Sequence, residues 1–199
     1  MTTWDERFRT GQYPQEPEPS PMLRAYAKPD DDARALDIAT GTGRNAVFLA
    51  EQGYDVDALD QSEEGLRITR ERAAESGVDD RLSLVQADAK AYDYPVEAYD
   101  LVTISFFRTL DRLNDIKAAL KPGGVLFYQH HLRSPEATVG PSDDRYRFRA
   151  NELLHACLDL TVLGYEAATD VEGDERVSVT ATIVARNSHG GTQSYPTRR

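Results

Sequence analysis

A buried apolar run that carries an acid near its end and passes directly into a two-glycine turn constrains this chain more than anything else in it. The stretch Ala35-Leu36-Asp37-Ile38-Ala39-Thr40-Gly41-Thr42-Gly43-Arg44-Asn45-Ala46 reads as a strand, a turn and the start of a helix. Gly41 and Gly43 let the backbone take positive φ and let a ligand come close. The helix opening at Arg44 points unpaired N–H groups at whatever occupies the turn. In outline this is a nucleotide site at the carboxyl end of a parallel strand.

The pattern Gly41-x-Gly43-x-x-Ala46 also satisfies the dinucleotide fingerprint, so the glycines alone do not separate a nicotinamide cofactor from a nucleotide without a pyrophosphate. Asp37 discriminates. A pyrophosphate beside it meets like charge at short range, whereas the ammonium of an amino-acid moiety finds a partner. Asp60 ends the next apolar run, Tyr54 to Leu59, about 20 residues beyond the glycines, where a strand-end carboxylate accepts from ribose hydroxyls. Asp88 follows the run Leu82 to Ala87 and is placed to accept from an adenine amine. Three acids at three successive strand ends form one constellation.

The chain has 199 residues, which suits one domain with a full-sized core. A formal net charge of −11 argues against nucleic acid or an anionic membrane as partner. No window is apolar enough for a bilayer span and the first residues do not read as a secretory signal, so the expected location is cytoplasmic. Cys157 is the only cysteine and sits among apolar residues, which excludes an intrachain disulfide or a cysteine metal cluster; no metal is expected. Lys28, Lys90, Lys117 and Lys121 are the only lysines against abundant arginine and aspartate. This suggests a halophilic surface, with ordinary acidic solubility as the alternative.

Along the chain, residues 1–33 read as a leader or lid: Trp4, Arg7, Phe8 and Tyr13 precede Pro14, Pro17, Pro19 and Pro21, a stiff connection outside the sheet. Helices follow the glycine turn up to Gly53 and run from Ser62 to Gly77. Tyr99 to Ser105 reads as a central parallel strand covered on both faces. It ends in Phe106-Phe107-Arg108, where Phe106 is a contact for adenine or acceptor and Arg108 is either an anchor for an anionic acceptor or one half of a surface ion pair. Lys121-Pro122-Gly123-Gly124 breaks the next helix before the strand Val125 to Tyr128, and His130-His131 follow at the same sheet edge. Adjacent side chains on an extended segment face opposite ways, so at most one histidine readily faces the acceptor. Residues 133–147 are a long irregular segment, a lid or a solvated connection. Leu158 to Tyr165 and Val177 to Val184 read as a final strand pair joined across Glu166 to Arg176, and 187–199 as a disordered tail.

These residues resemble a known family. Asp37-x-Ala39-x-Gly41-x-Gly43, then Asp60, then Ala87-Asp88-Ala89, then Lys121-Pro122-Gly123-Gly124 before a strand are similar to the class I S-adenosylmethionine-dependent methyltransferases, in particular the small tellurite-resistance and thiopurine methyltransferase types. The resemblance covers residues 34–186 and departs at Ala39, where the class more often has glycine. It implies an α/β, Rossmann-like, doubly wound sheet of seven mostly parallel strands with an antiparallel terminal hairpin, and S-adenosyl-L-methionine as cofactor. It implies cofactor contacts from Asp37, Ala39, Thr40, Gly41, Thr42, Gly43 and Asn45, from Asp60 and Gln61, from Ala87, Asp88 and Ala89, and from Ser105 and Phe106. Trp4, Arg7 and Tyr13 fall on the substrate side, with His130, His131 and Arg108 the candidate catalytic groups. The partner implied is a small-molecule acceptor, possibly a soft nucleophile, bound by a monomer or homodimer. A nicotinamide oxidoreductase on the same turn, or a non-catalytic cofactor-binding module, stands as the alternative.

Overall fold

The computed structural model describes residues 3–13, 18–172, 176–188 and 195. Its centre is a seven-stranded sheet in the order β3-β2-β1-β4-β5-β7-β6, built from β1 (Arg34–Ile38), β2 (Asp55–Asp60), β3 (Leu82–Gln86), β4 (Tyr99–Ser105), β5 (Leu120–His131), β6 (Thr161–Glu172) and β7 (Arg176–Arg186). The first five strands run parallel, and β7 runs antiparallel to both β5 and β6. The chain winds outward from β1 to β3, then returns to lay β4 on the other side of β1. That reversal opens a crevice above the carboxyl ends of β1 and β4.

The central strands are continuous apolar runs because both faces are covered. Leu36, Val102, Ile104, Leu126 and Tyr128 pack on one face. Ala35, Leu101, Phe127 and Val184 pack on the other, with Ala46, Leu49 and Ala50 of α3 (Arg44–Gln52). Helix α4 (Glu63–Ser76) starts on Ser62, whose hydroxyl accepts from the Gly65 N–H, and stops at Gly77 in the left-handed conformation. Helices α5 (Leu113–Ala118) and α6 (Glu152–Ala156) complete the cover.

Five expectations are corrected. The leader is not a plain connection: α1 (Trp4–Arg9) is capped by Thr3, and α2 (Pro21–Tyr26) by Ser20. Pro21 occupies the first helical position, where a missing N–H costs nothing. Pro14 and Pro17 lie outside the described residues. The terminal hairpin is far longer than expected, with β6 and β7 paired out to Glu172 and Arg176. An edge strand with a solvated face tolerates the acids that looked like turn residues, and Gly173 lies outside the described residues. The Lys121-Pro122-Gly123-Gly124 segment does not precede β5 but belongs to it, taken up by a register shift against β4 between Tyr99 and Leu101. Leu158, expected to open β6, is an exposed turn residue. Asn187, expected in the tail, is buried and donates from its amide to the Leu120 carbonyl; His189 lies outside the described residues. Among the described residues no helix is long and apolar enough to cross a membrane.

Candidate functional site

The site begins where β1 ends. Ala39 has φ +56°, Gly41 +59° and Gly43 +83°, so the backbone turns left-handed three times in five residues. At Ala39 this costs about 1 kcal/mol that glycine avoids, which is the physical content of the departure from the family pattern. A side chain on Gly65 of α4 would put its Cβ 2.7 Å from the Gly41 carbonyl oxygen; the turn and the helix touch backbone to backbone there.

Two acids hold this turn from below and beside. Asp37 is 2% exposed, and its two carboxylate oxygens accept from the hydroxyls of Thr40 and Thr103, each at 2.6 Å. Burial pushes its pKa up, opposed by the Thr103 and Thr40 hydroxyls and the nearby Arg44 charge. Asp60 accepts from the N–H groups of Gly41 and Ser62, each at 2.8 Å, tying the turn to the start of α4. Burial raises its pKa as well, against those same amides. The third acid is different. Asp88 is exposed and accepts from the Lys90 N–H at 2.9 Å, between partly covered Ala87 and buried Ala89. Gln61 is exposed at the end of β2.

The leader comes to this turn through α1. Phe8, not Trp4, makes the contact: its ring lies 3.5 Å from where a Gly41 Cβ would be. Asp5 accepts from the Ser62 hydroxyl and the Glu64 N–H at the head of α4. Trp4 stacks on Phe8 with centroids 5.7 Å apart, the Arg7 guanidinium lies 4.9 Å over Trp4, and Tyr13 meets Phe8 edge-on at 5.7 Å. Trp4, Arg7 and Tyr13, expected on the substrate side, thus form one cluster with Phe8, which seats it on the turn.

At the ends of β4 and β5 the arrangement changes. Phe106 holds φ +58° while 39% exposed, an unfavourable conformation for a bulky residue that the surroundings must impose. Tyr128 supplies part of that force, accepting from the Thr109 N–H at 3.0 Å and donating to the Phe107 carbonyl at 2.7 Å. Ser105 accepts from the Asn45 amide at 3.0 Å. The Phe106 ring lies 4.7 Å from the His131 ring and 5.1 Å from the Arg44 guanidinium.

Arg108 sits beside His130, with Phe148 against both. It pairs with Glu152 of α6 at 2.7 Å and lies over Phe148, so the ion pair is present. His130 is buried, donates Nε2–H to the Tyr146 carbonyl at 2.7 Å and meets Phe148 edge-on. Burial, then Arg108 and Arg147, lower its pKa. His131 faces Phe106 and is 8% exposed. Burial, then His130 and Arg147, push its pKa down to about 4. The two histidines find different partners, as alternation along a strand requires, and both are neutral at pH 7.

Residues 133–147 are pinned down. Arg147 is buried and donates to the carbonyls of Pro141, Leu132 and Val139. Gly140, at φ +98°, brings the segment so close to His131 that a Cβ would fall 2.6 Å from the ring. Arg44 is the residue that sequence reasoning missed. Its guanidinium makes no hydrogen bond or ion pair with any described residue; its signal was its position, first in the helix behind the glycine turn.

Residues 35–124 match a family model described as a methyltransferase domain, a stretch that takes in the glycine turn and all three acids. That stretch reads as a methyltransferase domain, and the fold around it is one shared with S-adenosylmethionine-dependent methyltransferases of known structure. Curated relatives of the domain include a ubiquinone/menaquinone biosynthesis C-methyltransferase, UbiE, of Azotobacter vinelandii, 33% identical over 124 residues that cover 58% of this chain and 49% of that protein. A demethylmenaquinone methyltransferase of Clavibacter sepedonicus is 40% identical over 118 residues, 57% and 47% of the two chains. The chain spans about half the length of these curated relatives. Among solved structures, TehB from Haemophilus influenzae superposes with a TM-score of 0.73 at 20% identity, covering 92% of this chain and 66% of that one. The [4+2]-cyclase SpnF does so at 0.67 and 22%, covering 85% and 80%. At those identities the likeness is one of fold. Nothing in these likenesses favours the nicotinamide alternative.

Proposed function

We propose that this domain transfers the methyl group of S-adenosylmethionine to a small-molecule acceptor that arrives already nucleophilic. The observation that carries the reading is the state of the two histidines among the described residues at the acceptor edge, neither of which is a competent base. His130 has its Nε2–H committed to the Tyr146 carbonyl, and His131 is held neutral with a pKa of about 4, too low to take a proton from an amine or an alcohol. A thiolate or a reduced selenium or tellurium species needs no such help, and a hydroquinone that arrives ionised activates its own ring carbon, whose proton passes to water once the methyl is in place. The acceptor's electron pair forms the new bond to the methyl carbon as the carbon–sulfur bond breaks, and the pair of the broken bond stays on sulfur and neutralises the sulfonium. The protein's part is to align the three atoms and exclude water.

In this reading Gly41 and Gly43 admit the cofactor's backbone, Asp60 offers its remaining lone pairs to the ribose, and Asp88 accepts from adenine. Asp37, whose oxygens are committed to two hydroxyls, acts on the methionyl ammonium through its field and by fixing the turn. The relatives' names, which describe methylation in quinone biosynthesis, favour a quinol ring carbon within this acceptor class; the tellurite-resistance resemblance favours a chalcogen. Labelled methyl transfer separates them. Incubation with 1,4-naphthohydroquinone, benzenethiol and tellurite is expected to label at least one of these, with a rate unaffected by His130→Gln. Labelling of simple amines alone, lost in that variant, would overturn the reading.

A further inference from the structure

The face that β5 and β7 share with α3 changes character along its length. Its inner part is apolar and filled: Phe127 and Val184, opposite each other in register, are 1% and 0% exposed and pack with Ala46, Leu49 and Ala50 of the helix. Further toward the site the same face carries Gln129 opposite Thr182, and then His131 opposite Thr180. Residues directly opposite, and those two apart on one strand, share a face, so these four side chains form a square of two cross-strand pairs. Apolar pairs there would continue the core; polar ones end it.

The square is covered but not satisfied. Thr180, Thr182 and His131 are 5%, 4% and 8% exposed, and Gln129 is partly covered. Among the described residues no hydrogen bond reaches either hydroxyl, the carboxamide or the imidazole. Of the four, only His131 has an unpaired atom sealed from solvent, its Nδ1. The hydroxyls and the carboxamide therefore stand at the floor of a recess, with their stems packed and their polar tips open. Nearly covered polar side chains without partners are completed by water or by a ligand. The Phe106 ring, 4.7 Å from the His131 ring and 39% exposed, walls the floor on one side. Its left-handed backbone is a cost of the kind that gathers at ligand clamps.

The floor is amphoteric and uncharged. A hydroxyl and a carboxamide both donate and accept, and the His131 ring, with a pKa of about 4, is neutral at pH 7. Glu166, opposite Thr182 on β6, is an exposed acid that repels an oxyanion. Arg147 spends its guanidinium on three carbonyls, and Arg44 lies at the glycine turn with Asp37 as its compensating charge. A neutral group that both gives and takes a hydrogen bond suits this floor, and a flat apolar body suits the ring beside it. We propose that Gln129, Thr180 and Thr182 select the methyl acceptor by binding a hydroxyl carried on a planar ring that lies against Phe106. The proposal rests on the methyl-donor reading for the role of that ligand, and within the acceptor class named above it favours the hydroxylated ring over the chalcogen.

Fluorescence titration of the full chain, loaded with S-adenosylhomocysteine, tests it with 2-naphthol and 2-methylnaphthalene, which share a ring and differ in one hydroxyl. The wild-type chain is expected to prefer 2-naphthol about tenfold or more, and Thr182→Val and Gln129→Leu should each cut that preference about fivefold by weakening 2-naphthol alone. Thr182→Ser, which keeps the hydroxyl, should keep the preference. Unchanged S-adenosylhomocysteine affinity and Tm in the same variants show that the fold is intact. A wild-type chain without the preference, a preference that survives both Thr182→Val and Gln129→Leu, or equal weakening of both naphthalenes overturns the proposal. A wild-type chain that does not bind S-adenosylhomocysteine defeats the methyl-donor reading instead, and the naphthalene pair, titrated without nucleoside, still decides whether this floor reads a hydroxyl.

Discussion

The two ends of the crevice are built on opposite principles. At the β1–β2 end the acids Asp37 and Asp60 spend their carboxylate oxygens on Thr40, Thr103, Gly41 and Ser62, and no buried side-chain atom in that set is left unpaired. Toward β4 and β5 the balance reverses. Among the described residues the buried side-chain atoms without partners are Arg108 Nε, Thr109 Oγ1, His130 Nδ1 and His131 Nδ1, at or just past the ends of those two strands, and Asn45 Oδ1 at the start of α3, whose amide reaches across to Ser105 of β4. One end is a finished backbone cradle, suited to a constant ligand. The other keeps polar atoms in reserve, as a site does when its ligand completes the bonding.

Variants can break each end separately. The largest effect is expected at the closed end. Asp60→Ala strands the buried N–H groups of Gly41 and Ser62, and urea unfolding at pH 7 should show a loss of about 3 kcal/mol together with loss of S-adenosylhomocysteine binding. A variant that keeps both would dissolve the contrast.

The open end should instead show itself in pH. His131 has a folded pKa near 4 against an unfolded value near 6.5, so between those values the unfolded chain binds more protons and stability rises with pH. The contribution is complete above pH 6.5 and lost as pH falls toward 4. Between pH 7 and pH 5 it amounts to about 2 kcal/mol, with lowered His130 adding in the same direction and raised Asp37 and Asp60 opposing. His131→Phe should flatten that part of the urea-derived profile; an unchanged slope would mean that the ring is not held neutral.

Tyr128→Phe removes the hydroxyl that holds the Phe106–Thr109 turn. It should cost about 1–2 kcal/mol and raise the acceptor KM while S-adenosylhomocysteine affinity stays constant; equal losses at both ends would show that they are not independent. The smallest effect is expected from Ala39→Gly, which relieves the left-handed backbone at φ +56° and should raise stability by about 0.5 kcal/mol, read as a small rise in Tm.

The sequence showed the closed end well and the open end poorly, for a physical reason. Strand-end acids and turn glycines occupy fixed offsets from apolar runs, so Asp37, Gly41, Gly43 and Asp60 can be located by counting. What Asp37 bonds to cannot: Thr103 is 66 residues away and meets it only because β1 and β4 are neighbours. Arg44 looked like any helix residue, since the absence of a partner is a property of the folded neighbourhood. Arg108 looked available because Glu152, its partner, sits 44 residues on. The same limit hid the length of β6, whose acids are harmless on a sheet edge, and helix α2, whose opening proline reads as a breaker until Ser20 is seen to cap it.

Titration of the wild-type chain with S-adenosylhomocysteine and, separately, with NADH tests the cradle most directly. The account predicts saturable, one-to-one binding of S-adenosylhomocysteine and no heat from NADH. Binding of NADH with none of S-adenosylhomocysteine would contradict it.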